Sequence, residues 1–314
     1  MSAYSRREFL AHSAAGILAL DGPGLLAADK PLDMTIAQWK GPQPKDTNDP
    51  QIAQIAAKLV QQAIEGLGGM KRFVKKGDVV WVKPNIAWDR KPELAGNTNP
   101  DLVAAIVRMC FDAGAKEVKM GDNPVHPAAK TYESSGIPAA VKPLGAKVVL
   151  LEQSGFKDTT IGGERVKSLP LFSELIECDV VINVPIVKHH VLADATLCMK
   201  NYMGVMENRR QFHQAFPACL ADLTRFMKPR LCVLDAVRIL KANGPTGGRP
   251  DDVVLKTTVA AGVDIVAMDA WGLDMLERKP TQIKMASQIL KKAVEVGLGK
   301  TDYRSLALKE IAVS

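Results

Sequence analysis

"DVVWVKPNIAWDRKPELAGNTNPDLVAAIVRMCFDAGAKEVKMGDNP", residues 78–124, places two short apolar runs on either side of a longer amphipathic segment. The runs "DVVWV" and "KEVKM" read as buried strands. Between them, "NPDLVAAIVRMCFDAGA" has helical spacing, with Asn99 as a candidate N-cap and Pro100 at the first helical position. Strand, helix and strand in succession imply two parallel strands bridged by the helix. The alternation continues in both directions. Upstream lie the strand "DMTIAQWK" and the helix "PQIAQIAAKLVQQAIEGLG", which ends in Gly as a capped helix would. Downstream come the helix "AAKTYESSG" and the strands "AKVVLLE" and "DVVINV". Then follow the helix "PACLADLTRFM", the strands "RLCVLD" and "VLKTTVAAG", and the helices "DIVAMDAWGLDMLE" and "PTQIKMASQILKKAVEVG". The expected fold class is α/β, a mostly parallel sheet with helices on both faces. The polar, Gly-rich stretch "GFKDTTIGGERVKS", residues 155–168, is the place for a hairpin excursion or a boundary between two lobes. Residues 29–314 otherwise read as a single α/β domain.

The first 28 residues are expected to lie outside that domain. "SRREFLAHSAAGILAL" carries Arg6-Arg7, then Phe9 and Leu10, then a short apolar run interrupted by Asp21, Gly22 and Pro23. The pattern resembles a twin-arginine export signal, with Ala27 and Ala28 as a cleavage site. It implies an exported, periplasmic protein that meets the twin-arginine translocase in the folded state. Arg6 and Arg7 offset Glu8 and Asp21, so the net charge of +7 belongs to the mature chain. An exported protein meets no genome, which removes nucleic acid as the reading of that charge; small anions or an anionic membrane face become the expected partners. About 285 residues remain, enough for one large domain. Five scattered cysteines, Cys110, Cys178, Cys198, Cys219 and Cys232, form no C-x-x-C pair, so no iron-sulfur cluster and no structural zinc is expected.

In an open parallel sheet, ligands bind beyond the carboxyl ends of the strands. Lys83-Pro84-Asn85 follows "VVWV", and Gly121-Asp122-Asn123-Pro124 follows "EVKM", with His126 close behind. Asn183-Val184-Pro185 and Lys188-His189-His190 follow "DVVI", and Asp235 follows "LCVL". Parallel strands would bring these four ends to one rim. Turn chemistry accounts for Asn123 and Pro185 but not for lysines and imidazoles. Outside the signal the histidines are His126, His189, His190 and His213, and three of them fall within residues 189–213 together with Lys200, Arg209 and Arg210. If "ADATLCMKNYMG" is helical, Thr196 and Lys200 lie one turn apart, as do Arg209 and His213 in the segment that follows.

Such a set suits an anionic ligand. The candidate binding residues are Lys83, Asn85, Lys188, Thr196, Lys200, Asn201, Arg209 and His213. His189 or His190 would act as general acid or base, with Asp122 as its partner. Arg209 and Arg210 fit a solvated basic face equally well. Candidate metal ligands are His126, Asp122 and His189. Adjacent His189 and His190 diverge on a strand, so at most one of them could join a site, and no H-E-x-x-H spacing is present. The nucleophile elbow G-x-S-x-G, the P-loop and the dinucleotide fingerprint are likewise missing.

The ordered series "KPN", "NTNPDLVAAIV", "DAGAKEVKMGDNP", "DVVINVPIVKHH", "LCMKNYMGV", "NGPTGG" and "AAGVDIVAMDA" resembles the family called domain of unknown function 362, over residues 79–276. Many relatives carry added ferredoxin-type cysteine clusters, which this chain lacks, so their iron-sulfur property is not implied here. The family is also distantly similar to the N-terminal part of nickel-dependent lactate racemases, whose phosphate-bearing cofactor is held by His and Lys residues. That likeness makes a His- and Lys-lined anion pocket chemically reasonable and leaves a bound metal or cofactor open. Two functions fit these readings. One is an exported enzyme, or a redox accessory with a partner in the envelope, acting on a small anionic compound. The other is a periplasmic protein that binds an anion or a cofactor without chemistry.

Overall fold

The computed structural model describes residues 31–314, so the twin-arginine segment, residues 1–28, lies outside the described residues. The strand-helix-strand reading of residues 78–124 is realised as β2 (Val79–Pro84), α2 (Pro100–Asp112) and β3 (Glu117–Met120), after β1 (Met34–Trp39) and α1 (Gln51–Gly66). Asn99 caps α2, its side-chain oxygen accepting from the backbone N–H of Asp101 and Leu102, and Pro100 occupies the first helical position. Helix α1 buries Ile52, Ile55, Leu59, Val60 and Ile64 along one stripe. Each of these contributes about 1.5–3 kcal/mol of burial, and the helix is pinned by that stripe rather than by a side-chain cap.

The chain continues through α3 (Ala128–Ser135), α4 (Ile137–Val141), the two-residue β4 (Lys147–Val148), β5 (Phe156–Thr160), β6 (Ser168–Phe172) and α5 (Ser173–Ile176). Next come β7 (Val180–Val184), β8 (Ile186–His190), β9 (Asp194–Thr196) and the short α6 (Cys198–Asn201). The last elements are α7 (Phe216–Met227), β10 (Leu231–Leu240), β11 (Val253–Gly262), α8 (Ile265–Met275), α9 (Lys284–Glu295) and β12 (Leu308–Val313). The main sheet has the order β12-β1-β11-β10-β7-β2-β3-β4, with β8 and β9 off that path beside β10. The pairs β10-β7, β7-β2, β2-β3 and β3-β4 are parallel, and β11 is antiparallel to both neighbours. Helices cover both faces. Val80, Val82, Val180, Ile182 and Val184 pack with α1, α2 and α4 in one core, while Trp81 and Val181 pack with α7, α8 and α9 in the other. Residues 155–168 contribute β5, the turn and the start of β6, which form a separate antiparallel hairpin.

Three local readings are corrected. The chain does not leave the sheet after Pro185. Strand β8 continues alongside β10, pairing Ile186 with Asp235 and Lys188 with Leu240, while Pro185, which has no N–H to give, accepts from the backbone N–H of Asp235. Asp235 therefore sits mid-strand, where it fixes the start of α2 by accepting from the backbone N–H of Asn99 at 2.8 Å. "ADATLCMKNYMG" is not one helix. Thr196 lies on β9, opposite Lys188 of β8, and α6 begins only at Cys198, where the Asp269 carboxylate accepts from the Cys198 and Met199 N–H groups at 2.6 and 3.1 Å. The helical spacing of Thr196 to Lys200 fails because β8 supplies backbone partners to its first half.

Candidate functional site

Strands β2, β3 and β7 all end on one rim, and β8 rises beyond it as a wall. At the foot of that wall is a fully buried polar network. Lys83 Nζ donates to Asp122 Oδ1 at 2.7 Å, to the Pro84 carbonyl at 3.0 Å and to Asn201 Oδ1 at 3.2 Å, so each of its three N–H groups has a partner. The second oxygen of Asp122 accepts from the Ile86 N–H at 2.7 Å. Asn201 Oδ1 also accepts from Asn85 Nδ2, and Asn201 Nδ2 donates to the Lys83 carbonyl and to Asn183 Oδ1. Asn85 Oδ1 in turn accepts from Lys188 Nζ at 2.8 Å, and the Gly96 carbonyl accepts from the same nitrogen at 2.7 Å. Burial pulls the Lys83 ammonium down, opposed by Asp122; it also pulls Lys188 down, assisted by Lys200.

Above this floor opens a cavity of about 680 Å³, of the size that holds a small ligand. Its lining includes Asn85, Asp122, Lys188, His190, Thr196, Lys200, Asn201, Arg209 and His213. Of the eight predicted binding residues, all but Lys83 line it and Lys83 lies beneath, so the fold brings the set together from the end of β2, β8, β9, α6 and the turns after α6. Gly204, in the 3-10 turn Tyr202–Val205, closes the floor: a Cβ there would overlap Asp122 Oδ1 and come within 2.7 Å of Lys83 Nζ. Sequence reasoning missed Gly204 as a packing residue. It also missed Thr98, whose hydroxyl donates to the Val184 carbonyl and accepts from the Asn85 N–H, tying the ends of β2 and β7 together.

The cations of the wall differ from those of the floor. Among the described residues Arg209 donates only to backbone carbonyls, those of Met203, Pro124 and Asn123. Lys200, half-buried at the end of α6, places its Nζ 3.6 Å from Met203 Sδ and 5.4 Å from the Phe216 ring centroid, with no oxygen acceptor among the described residues. Among the described residues none of Lys188, Lys200 and Arg209 makes an ion pair; in this region only Lys83 does. Burial first, and then Arg209, holds Lys200 down to about 7.

The histidines separate into different roles. His190 lines the cavity and its Nδ1 accepts from the Leu192 and Ala193 N–H groups at 3.1 and 3.2 Å. That fixes the proton of the neutral ring on Nε2. Burial, then Lys200 and Lys188, holds the ring down to about 2, so His190 offers a hydrogen-bond donor to the cavity and no vacant basic nitrogen. His189 points to the other face of β8, where its Nδ1 accepts from the Gly244 N–H at 3.0 Å, outside the cavity lining. His213 stands exposed at the rim against Phe216. His126 is also outside the lining: it accepts from the Asp89 N–H at 3.2 Å and stacks edge-on against Trp88. Asp122 is engaged by Lys83 rather than by an imidazole. Among the described residues no three of His, Cys, Asp and Glu come together as a metal-holding group, so His126, Asp122 and His189 do not form the metal set considered from the sequence.

An α/β protein with a basic, partly apolar cavity at the carboxyl rim of a mostly parallel sheet is thus the class that the fold and site define. The family described as Domain of unknown function (DUF362) matches residues 80–274, and the chain belongs to that family. Thylakoid-associated protein sll1697 of Synechocystis sp. is 32% identical over 236 residues, which cover 72% of this chain and 71% of that protein. The matched family span runs from β2 to α8 and contains the whole polar network and all three wall cations.

Proposed function

We propose that this protein is exported through the twin-arginine route, binds a small anionic compound, a carboxylate or a phosphate ester, in the rim cavity, and acts on it there as an enzyme. The observation that carries the reading is that Lys200 and Arg209 face one cavity with no ion pair of their own among the described residues, Asp122 being committed to Lys83, a costly arrangement unless an anion completes it. The neutral Nε2–H of His190 and the Thr196 hydroxyl add donors to the same space. Val125, Val191 and Leu192 are exposed at the mouth, at 55%, 69% and 54%, which with the thylakoid association of the Synechocystis relative favours a place close to an envelope membrane.

Capture of the anion without chemistry is the second reading. It is favoured by the state of the two obvious bases: both Asp122 oxygens are engaged, and His190 has no vacant nitrogen. Isothermal titration of sulfate, oxalate and pyridoxine 5′-phosphate tests what the two readings share. Saturable binding that weakens about 10–100-fold in Arg209→Ala is expected, the size of a charge-assisted hydrogen bond. No saturable binding of any of the three overturns the anion site. Export is tested separately by fractionating cells that express the full chain and an Arg6→Lys, Arg7→Lys variant; an equal distribution of the two overturns it.

A further inference from the structure

The wall of the cavity holds one side chain whose chemistry the anion reading leaves unused. We propose that Lys200 is a nucleophilic amine that captures the carbonyl carbon of an anionic carbonyl compound, a 2-oxo acid or a phosphate-bearing aldehyde, as an imine. The proposal rests on the anion-binding reading above and names its substrate class.

The geometry separates Lys200 from the other two lysines of the site. The three N–H groups of Lys83 are all donated, one of them to Asp122, so its nitrogen has no lone pair to offer. Lys188 gives two N–H groups to Asn85 Oδ1 and the Gly96 carbonyl. Imine formation there would strip buried acceptors of their donors, at roughly 1–3 kcal/mol each. Lys200 has neither obligation, since its neighbours are a thioether and an aromatic face, and it opens onto the cavity. Its apolar contacts and the adjacent Arg209 both favour the free amine, the arrangement that makes a lysine nucleophilic near neutral pH.

The surrounding groups supply what the step needs. Arg209 keeps its charge at any working pH and can hold the carboxylate or phosphate, while His190 Nε2–H can donate to the carbonyl oxygen. The amine lone pair forms the C–N bond as the C=O π pair moves to oxygen, giving a carbinolamine once a proton passes from nitrogen to oxygen. Loss of the second nitrogen proton and of the hydroxyl, as water, leaves the C=N bond. The sum is one amine and one carbonyl giving one imine and one water, and no oxidant or reductant is consumed.

The test is reductive trapping. The purified protein is incubated with one equivalent of pyridoxal 5′-phosphate, or with glyoxylate, then treated with borohydride and mapped by peptide mass. Expected is one adduct per chain on Lys200, suppressed by excess pyridoxine 5′-phosphate, which has the anion but no carbonyl, with total labelling at least 10-fold slower in Lys200→Arg and Lys200→Met. Thermal melts of both variants confirm folding, and Lys200→Arg keeps the charge, so its loss of labelling reports the amine. Labelling spread over other lysines, or equally fast in Lys200→Arg, overturns the proposal. If pyridoxine 5′-phosphate still binds in that case, the anion reading survives; if it neither binds nor protects, that reading fails too.

Discussion

Lys83 and Lys200 end in the same small region, one below the cavity and one beside it, and they are treated in opposite ways. Lys83 is fully buried with a carboxylate, a carbonyl and an amide oxygen around its nitrogen. Lys200 is less buried and has only a sulfur and a ring. A buried charge with every hydrogen bond satisfied is structural; its partner cannot be removed without leaving the other ion stranded. A charge without a counter-ion at a cavity wall weakens the fold and gains its compensation only when a ligand arrives. The difference separates the groups that build the site from those that serve it.

The largest effect that would break this comparison lies in the floor. Asp122→Ala should cost about 3–5 kcal/mol of stability in urea unfolding, because Lys83 is left uncompensated and the Ile86 N–H loses its acceptor. Replacing the pair together, as Lys83→Met with Asp122→Leu, should recover much of that loss. Next in size, Gly204→Ala should destabilise by about 1–3 kcal/mol through overlap with Asp122, without removing any charge. Lys200→Met should do the reverse of both: unchanged or raised stability, with anion affinity reduced about 10–100-fold in titration calorimetry.

The pH dependence of stability sharpens the same contrast. The folded value of Lys200, about 7, lies below its ordinary 10.5, so between those values the unfolded chain binds more protons than the folded one. Stability contributed through this group should therefore rise with pH across that window, and below about 7 the cost of the buried ammonium is present in full. Lys83 and Lys188 are shifted in the same direction. The titratable and charged groups that share a cavity lining with Lys200 are Arg209, Arg210, Lys188, His190, His213, Asp122 and Glu207 on one side and Asp269 on the other. Melting temperatures from pH 7 to 10 should flatten in Lys200→Met relative to the parent. The smallest effect is expected at His126→Phe, which keeps ring packing against Trp88, gives up one hydrogen bond to the Asp89 N–H worth about 0.5–1.5 kcal/mol, and should leave anion binding unchanged.

The alternating pattern of residues 78–124 was enough to read the parallel core, because buried strands and a capped amphipathic helix announce themselves locally. The site was legible as a set of residue types: Lys83 and Lys188 are poor turn formers whose presence after strands points to a rim, and Lys200 falls in the histidine-rich stretch that follows. Their division of labour was not legible. That Asp122 serves Lys83 and not a histidine depends on residues 39 positions apart meeting across β2 and β3. The role of His190 depends on a turn at Leu192 and Ala193 that engages Nδ1, and β8 itself exists because β10 runs on past Asp235 to offer it a partner. Tertiary pairing decided each of these, and no spacing rule carries that information.

The most direct test is calorimetric titration of oxalate, whose own charge is fixed in this range, into the protein at pH 8 in two buffers of different ionisation enthalpy. Saturable binding with partial proton uptake that falls in Lys200→Met is expected, since a group at about 7 is mostly unprotonated at that pH and a neighbouring anion shifts it toward the ammonium. Absence of saturable binding, or proton uptake that is the same in Lys200→Met, would contradict the account of an unpaired wall waiting for an anion.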